Sequence, residues 1–210
     1  MVGIMAFWGD QRQGGASMNS DDEFTPEYIA TLVLRAQDGD LDSFARLVDR
    51  YQAPLLRLSY RMLGNRADAE DVAQESLVKA WTTLEHLAIP EAFPTWLYRQ
   101  AVNRCKDILR SPKRSATVPI DETNQDHPSM TDTRPANDPQ RVTEVHSSMD
   151  ELSRLLLTLP DDQRACWVLR EYMGLSYAEI SETLATPVAT VRGRLSRARA
   201  RLAQDMKEWR

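Results

Sequence analysis

"SYAEISETLATPVATVRGRLSRARARL", residues 176–202, decides the fold. Ser176 is a natural N-cap, and Glu179 completes a capping box three residues on, which predicts a helix over 176–184. A short break follows around Ala185. Thr186 then stands as a cap with Pro187 at the first helical position, opening a second helix over 187–205. A capped helix, a short turn and a basic helix form the pattern of a helix-turn-helix.

The second helix separates its residues by face. At about 100° per residue, Val188, Val191, Leu195, Ala198 and Leu202 fall in one apolar stripe. Arg192 and Arg199 flank one side of the opposite face, and Arg194, Arg197 and Arg201 flank the other. Gly193, Ser196 and Ala200, all small, lie between the two rows. Small residues allow close approach to a DNA groove while guanidinium groups at the edges meet phosphates. Base-edge contacts would come from the N-terminal half. A solvated basic face would carry balancing acids at helical spacing, and 186–204 holds none. A membrane-surface helix would show a wider apolar face with Trp or Phe.

This basic stretch sits in an acidic chain. The 210 residues carry a net charge of −5. Acidity elsewhere discourages indiscriminate nucleic-acid binding and leaves one place for it. Working upstream, residues 111–146 carry five prolines and almost no large apolar groups, so they read as a flexible linker. It separates an N-terminal module, 24–110, from a C-terminal one, 147–210. Residues 1–23 read as a disordered extension and not as a signal peptide, with Met18 as an alternative start. No apolar run reaches the length of about 18 residues that a span requires, so no membrane insertion is expected.

The N-terminal module is helical throughout by its apolar spacing. Helices are expected at 25–37, 41–63, 67–83 and 95–110, with the proline-bearing "LEHLAIPEAFP" (84–94) breaking the pattern. In the C-terminal module the remaining helices are expected at 147–158 and 161–173. The fold class is therefore all-α: two small helical domains joined by a linker, the C-terminal one a helix-turn-helix. Cys105 and Cys166 each lie in an apolar-periodic stretch and read as buried thiols. With no export signal, the chain is placed in the reducing cytoplasm.

Two further helices carry chemistry. "ADAEDVAQESLVKAW", 67–81, crowds Asp68, Glu70, Asp71, Gln74 and Glu75 before any basic residue, which fits a basic partner or simply a solvated face. "FPTWLYRQAVNRCKDILR", 93–110, interleaves Trp96, Tyr98, Arg99, Asn103, Arg104 and Lys106, a combination that can grip unstacked bases. His86, His127 and His146 are scattered, so no metal, cofactor or small-molecule substrate is expected. The residues alone leave three readings: a promoter-recognising factor, a DNA-binding regulator with a helical sensor, and a helical enzyme. The third lacks a metal cluster, a phosphate loop and a nucleophile–base set.

Taken in order, these stretches resemble the extracytoplasmic-function (ECF) group of bacterial RNA polymerase sigma factors. "DAEDVAQESLVKAW" resembles region 2.2. "FPTWLYRQAVNRCKDILR" resembles the end of region 2.3 with region 2.4, and "LPDDQRACWVLREYMGLSYAEISETLATPVATVRGRLSRARARL" resembles region 4. The resemblance spans about 40–110 and 150–205. It implies a protein that is no enzyme but binds core RNA polymerase and promoter DNA. Asp68, Asp71, Gln74 and Glu75 would meet the polymerase clamp. The 84–94 loop with Trp96, Tyr98, Arg99, Asn103 and Arg104 would engage the melted −10 element. Thr190, Arg192, Gly193, Ser196, Arg197 and Arg199 would serve the −35 element, with Arg194, Arg199 and Arg201 holding phosphates or the polymerase flap. The linker would let the modules sit on separate promoter elements, and an anti-sigma protein would wedge between them. The sequence departs from the family where Ala185 and Ala189 replace frequent glycines. Ala185 fits there if its backbone stays out of the left-handed region. Gly193 stands where Ser is frequent, at a cost of about 1 kcal/mol in helix propensity.

Overall fold

A computed structural model describes residues 24–111 and 154–205. The expectations for 1–23, for 112–146 and for the helix start at 147–153 lie outside these residues. Among the described residues there is no strand. The N-terminal module contains α1 (Pro26–Gln37), α2 (Leu41–Leu63), α3 (Arg66–Thr83) and α4 (Phe93–Arg110). Two short 3-10 turns, Leu84–His86 and Pro90–Ala92, bridge α3 and α4. After a helical turn at 154–157, the C-terminal module contains α5 (Asp161–Glu171), α6 (Tyr177–Leu184) and α7 (Val188–Asp205).

Side-chain caps fix most of the helix starts. Thr25 accepts from the Tyr28 N–H at 3.2 Å and Asn65 from that of Asp68 at 2.9 Å. Asp40 accepts from the Asp42 N–H at 3.0 Å and from the Ser43 hydroxyl at 2.7 Å. The expected capping box forms, with Glu179 N–H on Ser176 Oγ at 3.2 Å and Ser176 N–H on Glu179 Oε2 at 2.7 Å. Each cap contributes about 1 kcal/mol by satisfying donors that the helix leaves free.

The turn before α7 differs from the expectation. The Pro187 carbonyl accepts from Val191 N–H at 3.1 Å, so Pro187 is itself the cap residue and Val188 begins the helix. Thr186 does not cap. Its hydroxyl donates to the Leu184 carbonyl at 3.0 Å and accepts from Arg194. Ala185 adopts φ 47°, ψ 48°, inside the left-handed region. The reason is the turn itself: Thr186 N–H must reach back to the Ser181 carbonyl, at 3.0 Å, to close the end of α6.

The modules do not stand apart. Their buried side chains form one continuous cluster, from Val33, Leu55 and Leu97 to Leu156, Leu169 and Leu195. Within the N-terminal module, α3 and α4 pack on α2, and α1 packs on α2 and the 3-10 turns. Between modules, α4 meets α6 and α2 meets α5. Arg164 is the buried connector. Its guanidinium donates to the carbonyls of Leu156 at 3.0 Å, Leu157 at 3.0 Å and Leu159 at 2.9 Å, and across the boundary to that of Met62 at 2.5 Å. A cation beside carbonyls at the ends of α2 and of the 154–157 turn opposes their negative dipole ends. Gly64, left-handed at φ 69°, ends α2 against Leu157, and a Cβ there would stand 2.4 Å from that side chain. Both cysteines are buried thiols outside any disulfide, as the sequence implied.

Candidate nucleic-acid interface

Helix α7 lies on α5 and α6 through Val191, Leu195, Ala198 and Leu202, all buried. Half-buried Val188 completes the stripe. Thr190, Arg192, Ser196, Arg197, Arg199, Ala200 and Arg201 are exposed on the remaining surface, with half-buried Gly193 among them. The ridge of small residues is thus open to a ligand, with guanidinium groups at its borders. A Cβ at Gly193 would meet only the Arg197 guanidinium, at 3.6 Å, so Arg197 folds back along the helix over this glycine.

The arginines nearest the stripe have protein partners. Arg194 donates to Asp162 Oδ2 at 2.5 Å, and Arg199 to Glu171 Oε1 at 2.9 Å. Arg192 approaches the Tyr177 ring at 5.8 Å. Arg194 is half-buried and fixes α7 to the start of α5; it is not poised to hold a phosphate as expected. Lys106 of α4 reaches the other oxygen of the same carboxylate, Oδ1, at 2.6 Å. The Lys106 hydrogen bond, aided by the charges of Lys106, Arg194 and Arg110, holds the Asp162 carboxyl below its ordinary range. Nothing in the spacing of the sequence marks Asp162 or Arg164 as connectors, because both depend on partners in the other module.

The second exposed face runs along α4. Asn103 and Arg104 are exposed, and Trp96 is half-buried against Phe93, with ring centres 5.9 Å apart. Tyr98 corrects the expectation. It lies in the core with Tyr51, ring centres 6.2 Å apart, and burial pushes its hydroxyl up to about 12. Leu97, Tyr98, Ala101 and Cys105 all turn inward, so Tyr98 offers no ring to a base. Arg99 extends across the module boundary, donating to the Glu182 and Thr183 carbonyls at the end of α6. The 84–94 loop leads into this helix and exposes Glu85, His86, Ala88 and Ile89.

The third face is acidic. Glu70, Asp71, Gln74 and Glu75 are exposed on α3, while Asp68 is half-buried in the first turn. An open groove of about 250 Å³ lies between α2 and α3, lined by Gln52, Ala53, Leu56, Ala73, Gln74 and Leu77. It places apolar area beside the carboxylates. Glu75 also takes both arms of Arg104, at 2.5 and 3.2 Å, joining the acidic face to the α4 face. Among the described residues, no three His, Cys, Asp or Glu side chains are arranged to hold a metal. No described helix is long and apolar enough to cross a membrane.

Comparison with known proteins follows this division. The description "Sigma-70 region 2" matches residues 47–115, and "Sigma-70, region 4" matches 149–202. The ECF RNA polymerase sigma-E factor of Haemophilus influenzae is 40% identical over 176 residues, covering 80% of this chain and 89% of that protein. The ECF RNA polymerase sigma factor SigW of Bacillus subtilis is 33% identical over 182 residues, covering 86% and 97%. In fold, the chain is similar to CnrH, solved in complex with the cytosolic domain of CnrY. The TM-score is 0.66 at 23% identity, over 86% of this chain and 98% of that one. It is also similar to RpoE of Bartonella quintana, solved with the anti-sigma factor NepR, at TM-score 0.59 and 22% identity, over 80% and 98%.

Proposed function

Because the chain belongs to the ECF group of RNA polymerase sigma factors, we propose that its three exposed faces divide the work of promoter recognition. The protein binds core RNA polymerase and directs promoter-specific initiation through −10 and −35 elements. Asp71, Gln74 and Glu75, beside the apolar groove, meet the basic clamp of the polymerase, with Asp68 at the margin. Trp96, Arg99, Asn103 and Arg104, together with the 84–94 loop, serve the −10 element. Thr190, Arg192, Gly193, Ser196 and Arg197 read the −35 element in the major groove, with Arg199 and Arg201 on phosphates. The observation that carries this reading is the α7 ridge, with Val191 and Leu195 buried beneath and Ser196 and Arg197 exposed above.

The protein carries out no reaction of its own. The free energy for strand separation comes from capturing unstacked bases, not from hydrolysis. It acts in the cytoplasm, where core polymerase is found. The packed arrangement adds a step to this scheme. Arg99 is bonded to the Glu182 and Thr183 carbonyls, so its use on the −10 element requires α4 and α6 to separate. Control by an anti-sigma protein belongs to the same proposal. A wedge between the modules would have to displace the Arg164–Met62 and Lys106–Asp162 contacts. The test is reconstituted transcription with core polymerase and a genomic DNA pool. Initiation at a defined promoter set is expected, and no initiation with inhibitor-free protein sinks the reading.

A further inference from the structure

The geometry points to Gln37 as a positioning residue for −10 recognition, an inference that rests on the proposed role of the 84–94 loop. Gln37 is the last residue of α1 and is half-buried. Its side-chain Nε2 donates to the Leu84 carbonyl at 2.8 Å and to the Leu87 carbonyl at 2.9 Å. A primary amide has two N–H groups, and both are engaged on the loop. The loop's other bonds are local: Leu87 N–H to the Leu84 carbonyl at 3.0 Å and Ala92 N–H to the Ile89 carbonyl at 3.0 Å. Thr95 Oγ1 adds one to the Ala92 carbonyl at 2.9 Å. Gln37 binds from 47 and 50 positions upstream.

The consequence follows from where these two carbonyls sit. Leu84 and Leu87 bracket the first 3-10 turn, and their side chains are buried. The segment beyond them turns outward, leaving Ile89 62% exposed at the edge that a base would approach. Fixing both carbonyls from α1 holds the turn in one conformation before DNA arrives. A loop ordered in advance loses less conformational freedom on binding. Gln37 touches no nucleotide in this account and acts through the loop. It also lies upstream of the matched region 2 span, residues 47–115, on a helix that the region 2 description does not include.

The test uses the full chain assembled with core polymerase. Gln37→Glu keeps the shape but removes both donors, whereas Gln37→Lys returns N–H donors at similar reach. The probe is the single-stranded −10 segment of a promoter obtained in the transcription experiment, with each base substituted in turn. Gln37→Glu is expected to weaken binding of that strand about tenfold, the scale of two neutral hydrogen bonds, and to flatten its base preference. Affinity for core polymerase and for −35 duplex should hold, and Gln37→Lys should restore base preference. Wild-type preference in Gln37→Glu overturns the inference, as does a parallel loss of all three affinities, which marks a purely structural role. If the wild-type holoenzyme shows no −10 base preference, the reading of the loop fails first and the inference falls with it.

Discussion

Ala185 holds a left-handed backbone, a conformation that costs an L-residue with a Cβ about 1 kcal/mol or more. Ala185→Gly is therefore expected to stabilise the protein by about 0.5–1 kcal/mol, measured as a rise in the urea midpoint at constant slope. The sequence showed alanine in place of a frequent glycine but could not show the sign of φ. That sign is set by the hydrogen bond that returns from Thr186 to Ser181. Gly193 presents the opposite case. A Cβ there meets only a flexible guanidinium at ordinary contact distance, so Gly193→Ala should gain about 1 kcal/mol of helix stability. The added methyl lies where Arg197 folds, so the same variant should shift −35 base preference in a duplex-binding panel. Arg197→Ala should lose about 1–3 kcal/mol of −35 discrimination in that panel. Equal discrimination would show that the reading face lies elsewhere on α7.

The bounds of α1 to α7 were legible to within a residue or two, because caps and apolar spacing are local signals. Ser176 with Glu179 announces α6 in the sequence and forms the two bonds expected of it. Faces were legible only where one stripe was clearly apolar, as on α7. On α4 the apolar residues also share one half of the wheel: at about 100° per residue, Phe93, Leu97, Ala101, Cys105, Leu109 and Val102 fall within about 180°, and Tyr98 falls inside that span. Tyr98 could therefore have been assigned to the core by wheel position, whereas Trp96 falls between Asn103 and Asp107 on the polar half, where it stays half-buried. Arg194 could have been assigned by wheel position, since it stands only about 40° from Ala198 and so at the margin of the buried stripe. Arg164 could not. It appears as one more charge on α5, yet it satisfies three carbonyls of its own module and one of the other. Replacing it takes the donor from the Leu157, Leu159 and Met62 carbonyls, each costing about 1–3 kcal/mol, while the Leu156 carbonyl keeps the Leu159 N–H at 3.1 Å. Arg164→Met should therefore lower stability by at least about 3 kcal/mol, measured by chemical denaturation of the full chain.

For the whole molecule, the division into two modules was legible from composition, but their packing was not. The contacts joining them depend on three-dimensional partners: Lys106 with Asp162, Arg99 with the end of α6, and Arg61 over the Tyr172 ring at 3.4 Å. The pH behaviour of this closure follows from Asp162. Its carboxyl is held below the ordinary value of 3.8 chiefly by the Lys106 hydrogen bond. A group with a lowered folded-state value contributes in full above its unfolded value and loses that contribution as pH falls through the lowered one. The radius of gyration from small-angle scattering should accordingly stay constant at neutral pH and grow only as pH falls below about 4, where the Asp162 carboxylate is lost. Asp162→Asn should enlarge it at neutral pH, because Lys106 and Arg194 lose their shared counter-charge. The partners of Arg164 and Arg99 across the boundary are main-chain oxygens, at Met62 in one direction and at Glu182 and Thr183 in the other. Every residue type supplies such an oxygen. These bonds thus make no demand on the side chains at 62, 182 and 183, whereas they depend on the guanidinium groups at 99 and 164. For these main-chain bonds, the burden of preservation over generations falls on the two arginines.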